Sequence, residues 1–398
     1  MKEAELKKLL NQENSFDAIV IGAGPAGSTA AYLLAKSGFH VLVLDKKKFP
    51  RGKLCGGLLT RKTVRLLDEI FKTSPDYLTS NQIISHHSSS YGVNFRDNAC
   101  IRGKLEYPFH FVDRQVYDSF WLNMARRSGA EFRSGDKVIS LDPSKNQVIT
   151  ANGHRYSGTY ILGADGAPSR LLRLLTAGGF IKNEKKSGLA TALELVVSRG
   201  LAPALPDHPV IYFGHIRWGY AWCFPRKDLR ILGICGLNEK SGKFLKRGMR
   251  QFLKTIKIST GDIGSIKSHA LPYGNYLAQP GSSNILLIGD ACGLADPLLG
   301  EGIYYAHKSG QLAALAAIQS YPNSQDALRI YRQHLSETII PELKFVRIAR
   351  QIIFSLPGSW PGLILSSLLK IIPRKCEETI QGQRSFRWFR KAKKCPSQ

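Results

Sequence analysis

The stretch FDAIVIGAGPAGSTAAYLLAKSGFHVLVLD, residues 16–45, constrains the fold of this chain more than any other. Residues 16–21 form a near-continuous apolar run, as a parallel strand buried on both faces requires. Gly22, Gly24 and Gly27 follow in G-x-G-x-x-G spacing, with Pro25 and Ala26 between them. The first glycine of such a turn allows the tight bend. The second lets backbone approach a pyrophosphate, and the third lets helix pack on strand. Amides at the N-terminus of the following helix then face the phosphates. Residues 41–44 read as a second buried strand. Asp45 ends it, where a carboxylate accepts a hydrogen bond from a ribose 2′-hydroxyl. The carboxylate would repel a 2′-phosphate, which argues against NADP at this position. Lys46 adjoins the cofactor position, and the run Lys46, Lys47 and Lys48 reads as a solvated basic face. The unit predicts an α/β chain with a Rossmann-like dinucleotide-binding domain.

Two later stretches choose between dinucleotides. GTYILGADGAPSRLLRLL reads as a strand, a turn at residues 163–166 and a helix begun near Ser169. SNILLIGDACGLADPLLGEGIYYAHKSGQLAALAAI reads as a strand, the turn Gly289-Asp290-Ala291, a glycine-flanked loop and a long helix. In this order and at this separation they resemble the flavoprotein hydroxylase-type FAD domain. The resemblance implies that Asp165 and Gly166 support the flavin and ribose side and that Asp290, after Gly289, binds the ribityl chain. FVDRQVYDSFWLNMARRSGAEF is similar to that group's Arg-x-x-x-Asp helix, placing Arg114 near the FAD phosphates and Asp118 on a helix face. In DPLLGEGI, Gly300 and Gly302 would let backbone meet the isoalloxazine edge. The helix starting near Ile303 would direct its positive end, about half a unit charge, at N1 and C2=O. That favours the anionic reduced flavin.

Residues 75–110 and 180–275 read differently, as short strands broken by Gly and Pro turns, which suits an antiparallel sheet. Within them lies YAWCFP, residues 220–225, and upstream lies KLCGGLL, residues 53–59. With PLLGEGI these resemble the geranylgeranyl reductase family of flavoproteins, and KLCGGLL is especially similar to bacterial colicin-M-resistance-type members. The resemblance covers about residues 16–350. It implies reduction of carbon–carbon double bonds in polyprenyl lipids, with hydride from reduced flavin N5 and an apolar tunnel in the sheet domain. The motif residues Tyr220, Trp222, Phe224 and Pro225 would line that tunnel. Without the other motifs, aromatics on a strand before a Pro read first as core. Cys55, with Gly56 and Gly57, would lie close to the flavin. Three roles stay open for it: proton donor, gate for flavin movement, or small apolar wall. No general acid stands out. His307 reads as a helix-surface histidine, and Glu301 as a carboxylate turned away from the flavin or paired with an arginine.

The expected division is discontinuous. An FAD-binding domain would comprise residues 16–74, 111–179 and 276–325, with an antiparallel-sheet substrate domain at 75–110 and 180–275. A helical, basic region would follow at 326–398. Seven cysteines, an odd number with no C-x-x-C spacing, argue against a disulfide framework, a zinc site or an iron–sulfur cluster. The charged start reads as no signal peptide, so the expected location is cytoplasmic. The formal net charge of +26 attracts polyanions. No helix-turn-helix, zinc-finger or aromatic RNA-binding signature accompanies it, so no nucleic-acid partner is expected. From residue 341 onward twelve Lys and Arg face three Glu, a net +9. RSFRWFRKAKK, residues 384–394, interleaves aromatics with cations and reads as a contact for an anionic membrane surface at its inner face. Residues 351–369 carry no charge but contain Pro and Gly, so an apolar helical hairpin suits them better than a spanning helix.

Other function classes compete. A flavin monooxygenase would share the FAD domain. A halogenase would need W-x-W-x-I-P, whereas here Trp218 and Trp222 are separated by three residues. A quinone-feeding dehydrogenase would be expected to carry iron–sulfur cysteines. A flavin-bearing membrane-surface protein would turn nothing over. There is no second G-x-G-x-x-G, so an external donor (NAD(P)H, ferredoxin or quinol) would supply electrons.

Overall fold

The computed structural model describes residues 14–96, 98–182, 188–258, 265–356 and 360–386. Its fold is mixed α/β, with two sheets and a helical C-terminal segment. The first sheet runs in the order Gly281–Ser282, Ile285–Leu287, Arg155–Gly163, Ser15–Ile21, Val41–Asp45, Glu131–Ser134. Its four central strands, Ile285–Leu287 to Val41–Asp45, are mutually parallel and buried. This agrees with the apolar runs AIVI, VLVL, YIL and ILL that these strands carry. Register decides where a ligand can sit. Ile21 lies opposite both Leu44 and Gly163, and Gly163 lies opposite Leu287. The three glycine-bearing turns therefore leave the sheet side by side at its carboxyl edge, where open α/β sheets bind ligands.

Three helices pack together over this sheet: Pro25–Lys36, Arg114–Arg127 and Ile303–Ser320. Small residues permit the approach. A Cβ on Gly310 would lie 2.3 Å from the Ala26 carbonyl oxygen.

The second sheet has the order Lys267–Pro272, Leu189–Ser198, Leu229–Leu237, Gly219–Pro225, Val210–Phe213, Ile84–Phe95, Asn98–Val112, Leu58–Leu59. All its pairings are antiparallel except that of Val210–Phe213 with Ile84–Phe95. Side chains alternate across a strand. Ala221 and Cys223 therefore join Leu195, Val197, Leu232 and Ile234 against the Leu245–Thr255 helix. Tyr220, Trp222 and Phe224 take the opposite face with Val93, Ala192 and Phe213. That face looks towards the carboxyl edge of the first sheet. Its far side is closed by the helices Ile340–Ser355, Trp360–Ile371 and Pro373–Ile380.

Candidate functional site

One cavity of about 1420 Å³ runs between the two sheets. A single small-ligand pocket occupies roughly 300–1,000 Å³, so this space admits a dinucleotide and more. Its polar end is the glycine turn. Gly22 has φ +106°, and a Cβ there would meet the Ala164 carbonyl oxygen at 2.3 Å. Gly27 is equally obligatory, because its Cβ would lie 1.9 Å from the Gly22 oxygen. Gly24, Pro25 and Ala26 line the cavity. Gly24 is the N-cap of the Pro25–Lys36 helix and supplies no side-chain cap. Its first amides are thus left for a ligand. The Ile303–Ser320 helix repeats this arrangement. Its N-cap Gly302 gives no side-chain cap, and Gly300, Gly302 and Ile303 face the same cavity. Two uncapped helix N-termini converging on one space suit an anionic, extended cofactor such as FAD.

The acids around this end are held in place. Asp45 Oδ2 accepts from Ala23 N at 2.8 Å and Oδ1 from Lys47 N at 2.8 Å. Asp165 lines the cavity while capping the next helix, accepting from Ser169 Oγ at 2.7 Å and Arg170 N at 2.6 Å. Burial pushes its carboxyl up despite those bonds. Asp290 Oδ2 pairs with Lys53 Nζ at 3.0 Å. Burial alone would raise the Asp290 carboxyl, but Lys53, with His269 and Arg114 behind it, holds the group below its ordinary value. Gly289 does not line the cavity; with φ +59° it fits the turn against Ala26. The exposed Lys46 borders the cavity. Arg114 is buried and bidentate on Asp118, at 2.7 and 2.9 Å, and Arg51 adds a third link to Asp118 at 3.1 Å. Burial works against the Arg114 charge, but Asp118 and the adjacent Cys55 raise its pKa.

The loop at Cys55 joins the two sheets. A Cβ on Gly56 would lie 2.6 Å from the Phe224 ring, so Gly56 makes room for that aromatic. Gly57 has φ +70°, and its Cβ would meet the Val112 carbonyl oxygen at 2.2 Å. The Cys55 backbone is held at both ends. Its N–H donates to Glu194 Oε1 at 3.2 Å, and its carbonyl accepts from Arg226 Nη2 at 3.2 Å. The thiol accepts from Gly57 N at 3.4 Å. Cys55, Gly56, Gly57, Glu194, Trp222 and Phe224 all line the cavity. From here it continues as an apolar tunnel past Phe213 and Ile211 to Ile353, Leu369 and Ile380. The Tyr220 hydroxyl donates to the Leu299 carbonyl, tying the motif strand to the loop before Gly300. Trp222 Nε1 is buried with no hydrogen-bond partner among the described residues. Pro225 does not reach the cavity; it ends its strand opposite Arg230.

Several residues depart from expectation. His307 is fully buried, not on a helix surface. Its Nδ1 lies 2.7 Å from Thr29 Oγ1 and its Nε2 2.8 Å from Tyr117 Oη. Burial pulls its pKa down to about 3. Asp118 is completely buried beneath two arginines rather than on a helix face. Glu301 pairs with Lys62, not with an arginine, and accepts from Thr60 Oγ1 at 2.7 Å. The sequence offered no reason to name Asp296, yet it shapes the loop before Gly300, accepting from Leu298 N at 2.8 Å and Leu299 N at 2.6 Å. Glu194 was also missed, although an acid inside the apolar run LATALELVVS marks it. Among the described residues no His, Cys, Asp and Glu cluster could hold a metal ion, and no helix is long and apolar enough to cross a membrane. Within the basic tail, residues 387–398 lie outside the described residues, as does the start of the chain through residue 13.

The chain is similar to known proteins in sequence and in fold. The FAD binding domain family matches residues 15–309. The geranylgeranyl diphosphate reductase of Rhodobacter capsulatus is 31% identical over 319 residues, covering 76% of this chain and 75% of that protein. The menaquinone reductase of Mycobacterium tuberculosis is 28% identical over 350 residues, covering 82% and 81%. A geranylgeranyl bacteriochlorophyll reductase-like protein of Thermoplasma acidophilum superposes with a TM-score of 0.76 at 21% identity, covering 91% of this chain and 92% of the other. With that FAD domain and this identity over three quarters of its length, the chain belongs to the geranylgeranyl reductase family of FAD-dependent oxidoreductases.

Proposed function

We propose that the protein reduces carbon–carbon double bonds of a polyprenyl chain. The observation that carries this reading is continuity: one cavity joins the glycine turns at Gly22 and Gly300 to an apolar tunnel walled by Trp222, Phe224 and Phe213. When bound, FAD supplies a hydride from its reduced ring. In this reading Gly22, Gly24 and Gly27 with the Pro25–Lys36 helix hold the pyrophosphate, and Asp45 the ribose. Asp290, kept ionised by Lys53, receives the ribityl hydroxyls. Gly300 and Gly302 would leave room for the ring near the N-terminus of the Ile303–Ser320 helix, whose positive end would steady negative charge on it. Trp222 and Phe224 exclude water from the prenyl chain and orient it. The molecules after which the relatives are named, a prenyl diphosphate and a menaquinone, both suit such a tunnel, because each pairs a polar head with an isoprenoid chain.

The tunnel also suggests where that chain comes from. Phe345 lines the cavity and is 41% exposed, so it stands at the rim. Ile348 and Ile352, 54% and 64% exposed, follow at helical spacing on the outer face of Ile340–Ser355, flanked by exposed Lys344 and Arg347. We infer that this face rests on an anionic bilayer, from which a prenyl lipid slides into the tunnel.

The reading is tested with FAD-loaded protein reduced chemically without air and mixed with geranylgeranyl diphosphate, prenyl phospholipid and menaquinone. Products heavier by pairs of hydrogens, with reoxidised flavin, are expected from at least one. Unchanged substrates would refute it, and oxygenated products on admitting air would establish a monooxygenase instead.

A further inference from the structure

Resting on the reductase reading, we propose that Glu194 is the catalytic proton donor that completes the reduced bond. The Leu189–Ser198 strand puts Ala192 and Glu194 on its cavity side, and Glu194 is only 6% exposed. Register brings it to the motif tryptophan. Glu194 lies opposite Gly233, and Gly233 lies opposite Trp222 on the next strand. The indole covers Gly233, where a Cβ would sit 2.1 Å from its Cζ2. Glu194 and Trp222 therefore flank, on the same face of the sheet, one residue that has no side chain. On its other side Glu194 holds the Cys55 amide. The carboxyl stands where the apolar tunnel meets the loop at Cys55.

The other carboxyls along this cavity are committed. Asp45 binds two backbone amides and Asp165 caps a helix. Asp290 is paired with Lys53 and Glu301 with Lys62. Asp136 accepts from Asn152 and His154, and Glu377 from the Glu106 amide. Glu194 has no ion pair within 4 Å among the described residues. The charged groups that face it are Arg226, anchored on Asp113, and Arg114, anchored on Asp118; Cys55 is the third neighbour. Burial lifts the Glu194 carboxyl to about 7, outweighing Arg226, the Cys55 amide and Arg114, which pull it down. A general acid works best with a pKa near the working pH.

The balance closes with the reduced flavin as two-electron reductant, restored after each turnover by an external donor. Hydride forms a C–H bond at one alkene carbon while the π pair at the neighbouring carbon takes up a proton, so no unstabilised carbanion develops. The Glu194 O–H bond breaks, its proton forms the second C–H bond there, and water reprotonates the carboxylate. His269, also on the cavity wall, is an unsuitable donor, because burial first and then Lys53 lower its pKa to about 4.

The test uses the full-length, FAD-loaded protein, its Glu194→Gln and Glu194→Asp variants, and geranylgeranyl diphosphate. Gln keeps an oxygen for the Cys55 amide. We expect Glu194→Gln to lose about 10²-fold or more in turnover and to bind substrate within twofold of the parent. Glu194→Asp should recover part of the rate. Parent turnover should fall as pH rises through about 7. Infrared difference spectra of the parent, recorded without substrate, should show a protonated carboxyl that titrates near the same pH and is missing in Glu194→Gln. A Glu194→Gln protein within threefold of the parent across that range, or a parent lacking the titrating carboxyl, overturns the proposal while leaving the reductase intact. A parent that reduces no prenyl chain overturns both.

Discussion

A methyl group at residue 56 would strike an aromatic ring, and one at residue 57 would strike a carbonyl oxygen. The two glycines after Cys55 thus have separate reasons: Gly56 admits Phe224, and Gly57 supplies a left-handed bend beside Val112. Gly56→Ala should cost about 1–3 kcal/mol through overpacking. Gly57→Ala should cost more, because backbone cannot give way as a ring can; urea denaturation of the two variants checks the order. With Glu194 as the acid, Cys55 becomes a wall and a hydrogen-bond acceptor. Cys55→Ser should keep turnover within about threefold, since a hydroxyl can accept from the Gly57 amide as the thiol does. A loss as large as that of Glu194→Gln would return proton donation to Cys55. His307 predicts an acid sensitivity. Its folded pKa of about 3 lies below the ordinary 6.5, so the unfolded chain binds the extra proton first. The stabilisation is complete above pH 6.5 and is lost as pH falls towards 3, at up to about 1.4 kcal/mol per pH unit. His307→Gln should be less stable at neutral pH yet lose less stability on acidification, as denaturation curves at successive pH values would show.

At the scale of elements, two helices are defined by what their N-termini lack. Ser74, Asp113 and Ser169 cap their helices through their side chains. Gly24 and Gly302 do not, and both face the cavity. Replacing either cap with a side chain that competes for those amides should weaken FAD binding more than folding; flavin fluorescence titration and thermal denaturation separate the two. The Ile340–Ser355 helix is two-sided. Leu343, Val346 and Phe354 are buried, whereas Ile348 and Ile352 look outward. In Ile348→Glu/Ile352→Glu, sedimentation with vesicles of phosphatidylglycerol and phosphatidylcholine should fall at least tenfold, with FAD content unchanged. Binding equal to that of the parent would count against the bilayer contact. If the parent dimerises and the double variant does not, the face is a contact between copies.

For the molecule as a whole, a +26 surface and a cavity open at an apolar rim act together. Attraction to an anionic leaflet is screened over about 8 Å at physiological salt. Vesicle binding should therefore weaken in high salt without vanishing, because the isoleucine face does not depend on charge. The cavity couples cofactor to fold, since elements from both sheets wall it. FAD at about 100 times its dissociation constant should add about 2.7 kcal/mol of stability. Scanning calorimetry with and without added FAD measures this as a rise in Tm. No rise would mean that FAD binding and folding are uncoupled.

Local chemistry was readable in advance. The unit from Phe16 to Asp45 needs only 30 neighbouring residues to state its strand, turn, helix and acid, because each signal is a short-range backbone requirement. The Asp165 and Asp290 turns were legible in the same way, and so was the alternation of Tyr220, Trp222 and Phe224. Pairings between distant segments were not. Glu194 meets Cys55 across 139 residues, Lys53 meets Asp290 across 237, and Glu301 meets Thr60 across 241. Strand parity sorts Glu194 from Leu193 and Leu195, but it does not say which face is the cavity. The Leu245–Thr255 helix decides that by covering the other face. His307 shows the same limit: its helix position was plain, but burial between Thr29 and Tyr117 required the Pro25–Lys36 and Arg114–Arg127 helices to close over it. The sequence by itself determined the backbone turns that a dinucleotide needs, because φ and close approach are local properties. Only the tertiary structure decided which acid stands beside the apolar tunnel and which acids are held by cations, because burial and charge pairing are properties of assembled surfaces.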